Sequence, residues 1–397
     1  MGLPFAYRDS RTDGIMEKVF QVFDKNELYR LTGIQFMQFN SIFQLYVMKI
    51  QNHPFLYKAK DLLFIPDILN YLLTGQKNTE FSFATTSQLY NPINKCWEKR
   101  IFEKLEFPIN MMQTVIDPGS EIGSLSKIIE KETGVSGLKV FAPVSHDTGS
   151  AVASVPANGE DWAYISSGTW SLLGIETKSP IISAKTRELN FTNEGGVDST
   201  FRVQKNITGL WIIQKLKESI EELRSLSYPE LIKKASLFPA FTSFIDGDHH
   251  DFLNPQDMKL SMARYLKNTN QAVPHNPFGF LKIALESMVM KYRFCIDQLQ
   301  ELSPHPIKYI HIIGGGSKNE TLNQYTANGT GKEVIAGPAE ATSIGNIIVQ
   351  AKAQGYIGSL DEARGIIKNS FSIKKYKPEN RDKWEVAYLR FREILNH

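Results

Sequence analysis

The chain has 397 residues, 42% of them hydrophobic and 22% charged, as is usual for a globular protein. Its 45 basic and 42 acidic residues give a net charge of +3 without any block of one sign, which argues against nucleic acid or a membrane surface as a partner. The length favours two domains, and the turn that begins at Pro156 places them at 1–156 and 157–397. Two cysteines, Cys96 and Cys295, and no apolar run near the ~18 residues of a membrane span predict a protein of the reducing cytoplasm.

The first part of the chain is predicted to be mainly helical. Asp9 and Arg11 lie in a polar corner, and a local ion pair is preferred there over a contact with a sugar. The segment Asp61–Leu73 places its leucines and isoleucines on one helical face, and Gly75 suits the position just after the helix. Pro66 would either kink this helix or lie in its first turn.

The first candidate motif is Ser145-His146-Asp147-Thr148. The segment Leu138–Val144 is predicted to be a buried strand that leads into it, and the small residues after it can open a helix. Ligands of α/β folds gather at the carboxyl ends of strands, where an aspartate can accept a proton from a substrate hydroxyl. An aspartate at such a place is also often only a helix cap, so the spacing alone leaves both interpretations open for Asp147.

The second candidate motif, Ser-Ser-Gly-Thr with Thr169 as its last residue, lies within Trp162–Ile175. The aromatic and β-branched residues of this segment predict a hairpin that turns at Ser-Gly. Glycine lets the backbone come close to a ligand, and the hydroxyl and amide groups beside it can bind phosphate oxygens. A plain turn is the alternative. The residues that follow, 176–200, are predicted to be a loop.

Two further polar candidates lie on the next elements. A strand is predicted over Thr200–Lys205, with Asn206 at its end, and Gly209–Leu223 has the pattern of an amphipathic helix that contains Gln214. Either polar residue could also be an ordinary capping or surface residue. Further along, Phe278–Leu299 has the spacing of a long helix.

The sequence His249-His250-Asp251 lies in a polar stretch rich in loops. Imidazole and carboxylate groups bind metals, so a metal-dependent hydrolase is an alternative function for the chain. No second pair of ligands has the spacing of a metal site. A solvated loop is therefore the preferred interpretation.

The predicted strand Tyr309–Ile313 runs directly into three glycines centred on Gly315. Ser317 is predicted to cap the next helix, with Glu320 completing a capping box. A strand, a glycine turn and a helix N-terminus form a place where a nucleotide can lie against bare backbone. The pattern is neither a Walker A motif nor a dinucleotide fingerprint, so three glycines are weak support when taken alone. A further strand is predicted at Glu333–Ala336.

Taken together, these motifs resemble the FGGY family of carbohydrate kinases, which shares its nucleotide-clamping fold with actin and the Hsp70 chaperones. The matching segments run in the family's order along nearly the whole chain, and as a set they are specific. They point to the branch that phosphorylates L-rhamnulose rather than to glycerol or xylulose kinases. The segments are Gly2–Thr12, Ser145–Thr148, Tyr164–Leu172, Asn193–Gly196, Lys205–Trp211, His311–Gly316 and Ala336–Thr342.

The resemblance implies an α/β fold of two domains, of the actin-like or ribonuclease-H-like ATPase type. It implies a cytoplasmic enzyme of rhamnose catabolism that transfers the γ-phosphoryl group of ATP to the 1-hydroxyl of L-rhamnulose with Mg²⁺. Small molecules, and neither nucleic acid nor a membrane, are the partners that it implies.

The resemblance also implies roles for individual residues. Asp147 would be the general base that aligns and deprotonates the sugar hydroxyl. Most of the remaining catalysis would come from positioning and charge neutralisation. The residues implied to bind the sugar are His146, Asp147, Thr148 and Asn206, and those implied to bind the nucleotide are Thr169, Gln214 and Gly315; no metal ligand is implied.

The beginning of the chain departs from the family pattern. Members of the family begin with a strand–turn–strand unit whose Asp-x-Gly loop grips phosphate and helps to hold Mg²⁺, and a later strand ends in a Trp-Gly sugar contact. This chain starts after these elements, so the first domain would be truncated and helices such as Asp61–Leu73 would expose apolar surface. Three explanations are considered: a truncated product, a missing part supplied by a separate polypeptide, and a relic that binds without catalysis. The first is preferred.

Overall fold

The computed structural model describes residues 5–7 and 9–395, so part of the matching segment Gly2–Thr12 lies outside the described residues. Helices form most of the secondary structure. The α-helices of the described residues are, in chain order, α1 Ile15–Val22, α2 Lys25–Thr32, α3 Ser41–Ile50, α4 Pro54–Lys58, α5 Ile65–Thr74, α6 Phe81–Thr86, α7 Lys99–Leu105, α8 Lys127–Thr133, α9 Asp147–Ala153, α10 Ala184–Glu188, α11 Trp211–Ser219, α12 Glu221–Arg224, α13 Tyr228–Ala235, α14 Met258–Asn268, α15 Pro277–Leu302, α16 Glu320–Thr330, α17 Ala341–Ala353, α18 Leu360–Ser370 and α19 Arg381–Leu395.

The β-strands are short in the first part of the chain and longer in the middle. The strands are β1 Thr79–Glu80, β2 Tyr90–Asn91, β3 Cys96–Trp97, β4 Val115–Ile116, β5 Glu121–Ser124, β6 Lys139–Phe141, β7 Trp162–Ser167, β8 Trp170–Thr177, β9 Thr192–Gly195, β10 Phe201–Thr208, β11 Tyr309–Ile313, β12 Glu333–Ala336 and β13 Lys374–Tyr376.

Among residues 5–7 and 9–395, no helix combines the length and the apolar character of a membrane span.

The described residues form two compact units, and the chain passes between them several times. The first unit contains the described residues up to Ser154 together with Glu176–Gln204 and Thr342–Ile366. The second contains Val155–Ile175, Lys205–Ala341 and the described residues from Ile367 onward.

The core of the first unit lies among α1, α2, α3 and α7. Val19 of α1 and Phe23, which caps the end of that helix, are fully buried, as is Phe43 of α3. Val19 and Phe23 are four residues and hence about one turn apart, which is the pattern of a helix with one apolar face. At the start of α2 the Asp24 side chain accepts the Glu27 backbone N–H at 2.8 Å, which satisfies one of the free donors of that helix end.

The strands of the first unit pair locally. β1 pairs with β4 in parallel, while β2 pairs with β3 and β5 with β6 in antiparallel fashion. β9 and the beginning of β10 also form an antiparallel pair, in which Glu194 lies opposite Arg202. This register places an acidic and a basic residue on neighbouring strands in the interior, where both are buried.

Helix α5 exposes its apolar residues. Ile65 is 67% exposed, Leu69 58% and Leu72 59%, although their spacing is that of an inward-facing helical stripe. The expectation that this helix would leave apolar surface uncovered is therefore confirmed. Pro66 lies in the first turn of α5, and Gly75 ends the helix with a positive φ of 76°.

The second unit is built on a mixed sheet with the strand order β13-β12-β11-β7-β8. The central pairs β11–β7 and β11–β12 are parallel, while β7–β8 and β12–β13 are antiparallel. The long helix α15 packs against α16 and α19. The predicted hairpin of Trp162–Ile175, the strand Tyr309–Ile313 and the helix Phe278–Leu299 are all present, and Cys295 is fully buried in that helix.

The strand predicted over Leu138–Val144 is wrong in length and burial. The observed strand β6 covers only Lys139–Phe141, and Leu138 is 54% exposed. β6 has β5 as its paired neighbour in a small two-stranded sheet, so only its end approaches the core. Apolar composition alone does not distinguish such a strand from a fully buried one.

Several other boundaries also differ from the predictions. The segment 176–200 is not a plain loop, because it contains α10 and β9. Strand β10 continues to Thr208, so Asn206 lies inside it, and the helix predicted to end at Leu223 breaks at Ile220, whose backbone is extended. The predicted Ser317 cap is wrong: a short 3₁₀ turn over Gly315–Lys318 intervenes, and Asn319 caps α16 instead.

Candidate active site

The segment that carries Asp147 changes from strand to helix within a few residues. His146 is the extended N-cap of α9, with φ −70° and ψ 118°, and Asp147 is the first helical residue. Gly149 follows in the first turn, where an added Cβ would lie 2.2 Å from Val144 Cγ1 and 3.4 Å from Arg202 Cζ. Only glycine therefore allows this turn to pack so closely on the residue that precedes the motif.

The Asp147 carboxylate points to solvent, with its side chain 80% exposed. Its Oδ1 accepts the backbone N–H of Thr148 at 2.7 Å and lies 3.5 Å from His146 Nδ1. The Asp147 carbonyl oxygen accepts the hydroxyl of Thr342 at 3.4 Å. A carboxylate that is fixed at its backbone and open at its tip can accept a proton from a bound hydroxyl.

His146 lies mostly inside the first unit, with 22% of its side chain exposed. Its ring packs beside Phe83 at a centroid distance of 5.8 Å, and Nε2 lies 3.9 Å from Glu194 Oε2. Burial lowers the pKa of His146, with nearby Arg202 acting in the same direction and Glu194 against it. The imidazole is therefore neutral at neutral pH and offers one donor and one acceptor nitrogen, which suits a sugar hydroxyl.

A buried polar group around Glu194 lies behind His146, and its role was missed at the level of sequence. Glu194 Oε2 accepts a hydrogen bond from Gln204 Nε2 at 3.0 Å and lies 3.1 Å from a terminal guanidinium nitrogen of Arg202. Arg202 is fully buried, and its Nε donates to the Gly195 carbonyl at 3.2 Å. The sequence feature that could have indicated this group is Arg202 itself, an arginine between two apolar residues of a predicted strand. A buried arginine is unusual unless it is paired with an acidic group.

The second motif forms a tight turn in the second unit. The carbonyl of Thr169 accepts the backbone N–H groups of Gly209 and Trp211, both at 3.2 Å. A Cβ on Gly209 would lie 2.7 Å from the Gly168 carbonyl oxygen, so the chain after β10 can approach the turn only as glycine. This approach brings Gln214 of α11 to Thr169, whose hydroxyl lies 3.4 Å from the Gln214 amide oxygen.

The glycine turn after β11 packs on the same hairpin. Gly314 has a positive φ of 81°, and a Cβ on Gly316 would lie 2.0 Å from Ser167 Oγ. By contrast, a Cβ on Gly315 would meet nothing within 4 Å. The turn thus presents bare backbone to open space at Gly315, as a nucleotide site requires.

The structure distributes the predicted site residues over two clusters and one strand. His146, Asp147 and Thr148 are adjacent in the first unit, at the start of α9. Thr169 and Gln214 are in contact in the second unit, and Gly315 lies on the glycine turn that packs on the same hairpin. Asn206 lies within β10, in the part of that strand that belongs to the second unit.

Two other predicted sites can be compared with the structure. The predicted ion pair at the start of the chain is confirmed, since Arg11 Nε lies 2.9 Å from Asp9 Oδ2. His249, His250 and Asp251 each offer one ligand atom, and these atoms lie within 4.8 Å of one another. Arg264, however, lies 3.4 Å from Asp251 Oδ1, and a guanidinium at that oxygen competes with a cation.

Comparison with known proteins identifies the chain as a carbohydrate kinase and establishes its family. Residues 5–154 match the N-terminal domain of the FGGY family of carbohydrate kinases, and residues 163–354 match its C-terminal domain. The chain belongs to this family. Membership implies ATP as the phosphoryl donor and a divalent metal ion, in agreement with the prediction of an ATP-dependent sugar kinase.

Rhamnulokinases are among the curated proteins that are similar to this chain. The rhamnulokinase of Bacteroides thetaiotaomicron is 42% identical over 392 residues, which cover 99% of this chain and 80% of the relative. The rhamnulokinase of Oceanobacillus iheyensis is 45% identical over 372 residues, which cover 94% of this chain and 78% of the relative.

Solved structures of sugar kinases have the same fold. Gluconate kinase from Lactobacillus acidophilus superposes with a TM-score of 0.78 at 15% identity, over 99% of this chain and 79% of the other. Plasmodium falciparum glycerol kinase with ADP superposes with a TM-score of 0.76 at 14% identity, over 98% and 78%. At these identities the likeness concerns the fold, and it confirms the prediction of a two-domain α/β sugar-kinase fold.

Proposed function

We propose that the protein transfers the γ-phosphoryl group of ATP to the 1-hydroxyl of L-rhamnulose. The observation that carries this proposal is the Asp147 carboxylate, which is 80% exposed at the first residue of α9 and lies beside His146. The similarity to rhamnulokinases, which is above 40% identity over most of the chain for the two named above, supports the choice of sugar.

Asp147 acts as the general base in this proposal. Its carboxylate accepts the proton of the sugar 1-hydroxyl as the oxygen attacks the γ-phosphorus, and the bond from that phosphorus to the oxygen bridging the β- and γ-phosphates breaks. The products are the sugar 1-phosphate and ADP. A positioned base of this kind contributes about 10²–10⁴ in rate.

In this proposal the sugar is bound by His146 and Thr148, the sequence neighbours of the base, and by Asn206 of β10. The neutral imidazole of His146 can donate to one hydroxyl and accept from another, and Thr148 offers a hydroxyl one residue after the base. Asn206 supplies an amide, which can also donate and accept. Such paired polar contacts discriminate strongly between sugars, because a sugar that lacks the matching hydroxyl leaves them unsatisfied.

The nucleotide phosphates are bound by Thr169 and Gln214, and the adenosine lies against Gly315. The contact of Thr169 with Gln214 and the open space beside Gly315 support these roles. We take the divalent ion to be Mg²⁺, which is usually held by one or two carboxylates and the substrate phosphates. Bound to the substrate phosphates, it would neutralise part of their charge.

The organisation and location of the protein are part of the proposal. We assign 1–156 to the sugar-binding domain and 157–397 to the nucleotide-binding domain, on the basis of the turn at Pro156. The substrate ATP and the cysteine content, with Cys96 exposed and Cys295 unpaired in the interior, support a cytoplasmic location.

The test is coupled ADP release by the whole chain with Mg-ATP and L-rhamnulose, for the wild type and for Asp147→Asn. We expect the substitution to lower kcat by about 10²–10⁴ while ADP still binds. Asp361→Asn is the matched control, because Asp361 is also an exposed aspartate in the first turn of a helix of the first unit. ADP release that is independent of the ketose, or equal in Asp147→Asn and the wild type, overturns the proposal.

A further inference from the structure

A buried carboxylate lies directly behind the segment that leads to Asp147. Glu80 is 1% exposed, and its Oε2 accepts the backbone N–H of Ser145 at 3.0 Å. The Ser82 hydroxyl donates to the same oxygen and in turn accepts the backbone N–H of His146 at 3.0 Å. One carboxylate and one hydroxyl thus take the N–H groups of both residues that precede the base, although Ser145 lies 65 positions after Glu80.

Local helix capping does not account for these contacts. Glu80 is the N-cap of α6, and its Oε1 performs that role by accepting the Ser82 N–H at 2.9 Å. Capping therefore uses one oxygen, while the other oxygen is directed to the segment around Ser145. Because buried acceptors are costly unless they are satisfied, the second set of bonds fixes the segment and the carboxylate together.

The backbone of Glu80 is itself held in place by a second carboxylate. Asp67 of α5 is 2% exposed, and its Oδ1 accepts the backbone N–H of Glu80 at 3.2 Å. In addition, the Ser150 hydroxyl donates to the Val144 carbonyl at 2.7 Å. The backbone is thus hydrogen-bonded at three consecutive residues, Val144 to His146, just before α9 begins.

We propose that Glu80 and Ser82 are positioning residues for the catalytic segment. They fix the backbone of Ser145 and His146 and thereby the direction in which the Asp147 side chain projects from the start of α9. The inference rests on the proposed role of Asp147. Neither residue touches the reacting atoms. Their effect is on geometry, and a displacement of about 1 Å at a catalytic group can cost about a hundredfold in rate.

The chemistry of the pair agrees with this role. Above pH 7, where the Glu80 carboxyl is mostly ionised, it accepts hydrogen bonds at both oxygens, whereas a glutamine in its place has one acceptor oxygen and one donor NH₂ group. In Glu80→Gln, whichever way the amide is turned, an N–H of the protein faces an NH₂ group. Ser82→Ala independently removes the acceptor of the His146 N–H while leaving the carboxylate in place.

The first arm of the experiment measures hydrogen exchange of the whole chain by mass spectrometry, over peptides that span residues 142–149. We expect at least tenfold faster exchange in Glu80→Gln and in Ser82→Ala. Glu98→Gln is the matched control, because Glu98 is also a buried carboxylate of the first unit, whose Oε2 accepts from Asn91 at 2.8 Å. Unchanged exchange over 142–149 in both variants, or an equal increase in Glu98→Gln, overturns the proposal.

The second arm measures ADP release for the same variants beside Asp147→Asn. We expect kcat to fall about tenfold to a hundredfold in Glu80→Gln and Ser82→Ala, with KM for ATP within threefold of the wild type, because the nucleotide residues are untouched. If Asp147→Asn abolishes activity while Glu80→Gln and Ser82→Ala keep a kcat within threefold of the wild type, the positioning role is wrong and the proposed function stands. If Asp147→Asn is itself fully active, the proposed function fails, and the exchange arm still decides whether the pair holds the segment.

Discussion

Glu80 should make the stability of the first unit depend on pH in an unusual direction. Burial raises the pKa of Glu80 from an ordinary 4.5 to about 7, and hydrogen bonds from Ser82 and Ser145 offset only part of this effect. The folded protein therefore keeps a proton on this carboxyl at pH values where the unfolded chain has already lost it. The contribution of Glu80 to stability is then greatest at low pH and falls as the pH rises from 4.5 to 7.

The size of the effect follows from the two pKa values. A rise from 4.5 to about 7 corresponds to about 3 kcal/mol of unfolding free energy lost between low pH and pH 8. Glu80→Gln removes this titration. We therefore expect the stability of the variant, relative to the wild type, to increase by about 3 kcal/mol between pH 4.5 and pH 8.

The assay is urea unfolding of both proteins at several pH values, followed by circular dichroism and compared as differences. The titratable residues that are bonded to Glu80 or belong to the segment it binds are Asp67 and His146; both are present in both proteins, so their contributions cancel to first order. The pKa of Asp67 is also raised by burial, to about 6.

The matched control, Glu98→Gln, should show the opposite pH dependence of stability. The pKa of Glu98 is lowered overall: burial raises it, but bonds from Asn91 and Arg100 outweigh this. Glu98 thus contributes stability above its unfolded pKa, and Glu98→Gln should become more destabilising, relative to the wild type, as the pH rises. A difference between Glu80→Gln and the wild type that is independent of pH, or that falls as the pH rises, refutes the reasoning for Glu80.

Two further predictions concern the clusters around the candidate site. The pKa of His146 should lie below 6.5 in an NMR titration and should fall further in Glu194→Gln, because Glu194 raises it against the effect of burial; an unchanged pKa contradicts the contact. Gly316→Ala should weaken ADP binding at least tenfold in calorimetry, because its Cβ would lie 2.0 Å from Ser167 Oγ, and the added substitution Ser167→Gly should restore most of the affinity; a double variant as weak as the single one would contradict this explanation.

Elements with continuous apolar or β-branched character were predictable from the sequence. The hairpin β7–β8 and the strands β11 and β12 are runs of such residues bounded by glycine, and the long helix α15 has a regular apolar spacing. Strand β9 was missed because Thr-Asn-Glu-Gly has the composition of a loop. Its strand conformation comes from pairing with β10, and a single-sequence pattern does not contain that information.

The candidate site was predictable where it consists of short contiguous motifs. Asp147 and Thr169 were proposed as site residues in this way, and the contact of Thr169 with Gln214 is seen in the structure. The groups behind them were not identified. Arg202 and Glu80 are charged residues whose burial depends on partners brought together by the fold, and charged residues are normally exposed, so their positions in the sequence gave no reason to expect burial.

The hydrogen bonds from the segment before Asp147 also have an evolutionary consequence. Glu80 and Ser82 bind backbone N–H groups at positions 145 and 146, and every amino acid except proline supplies such a group. The identities of residues 145 and 146 can therefore drift without breaking these bonds, as long as neither becomes proline. Related sequences should thus show little correlated variation between position 80 and position 145, and a search for coupled substitutions would overlook this connection.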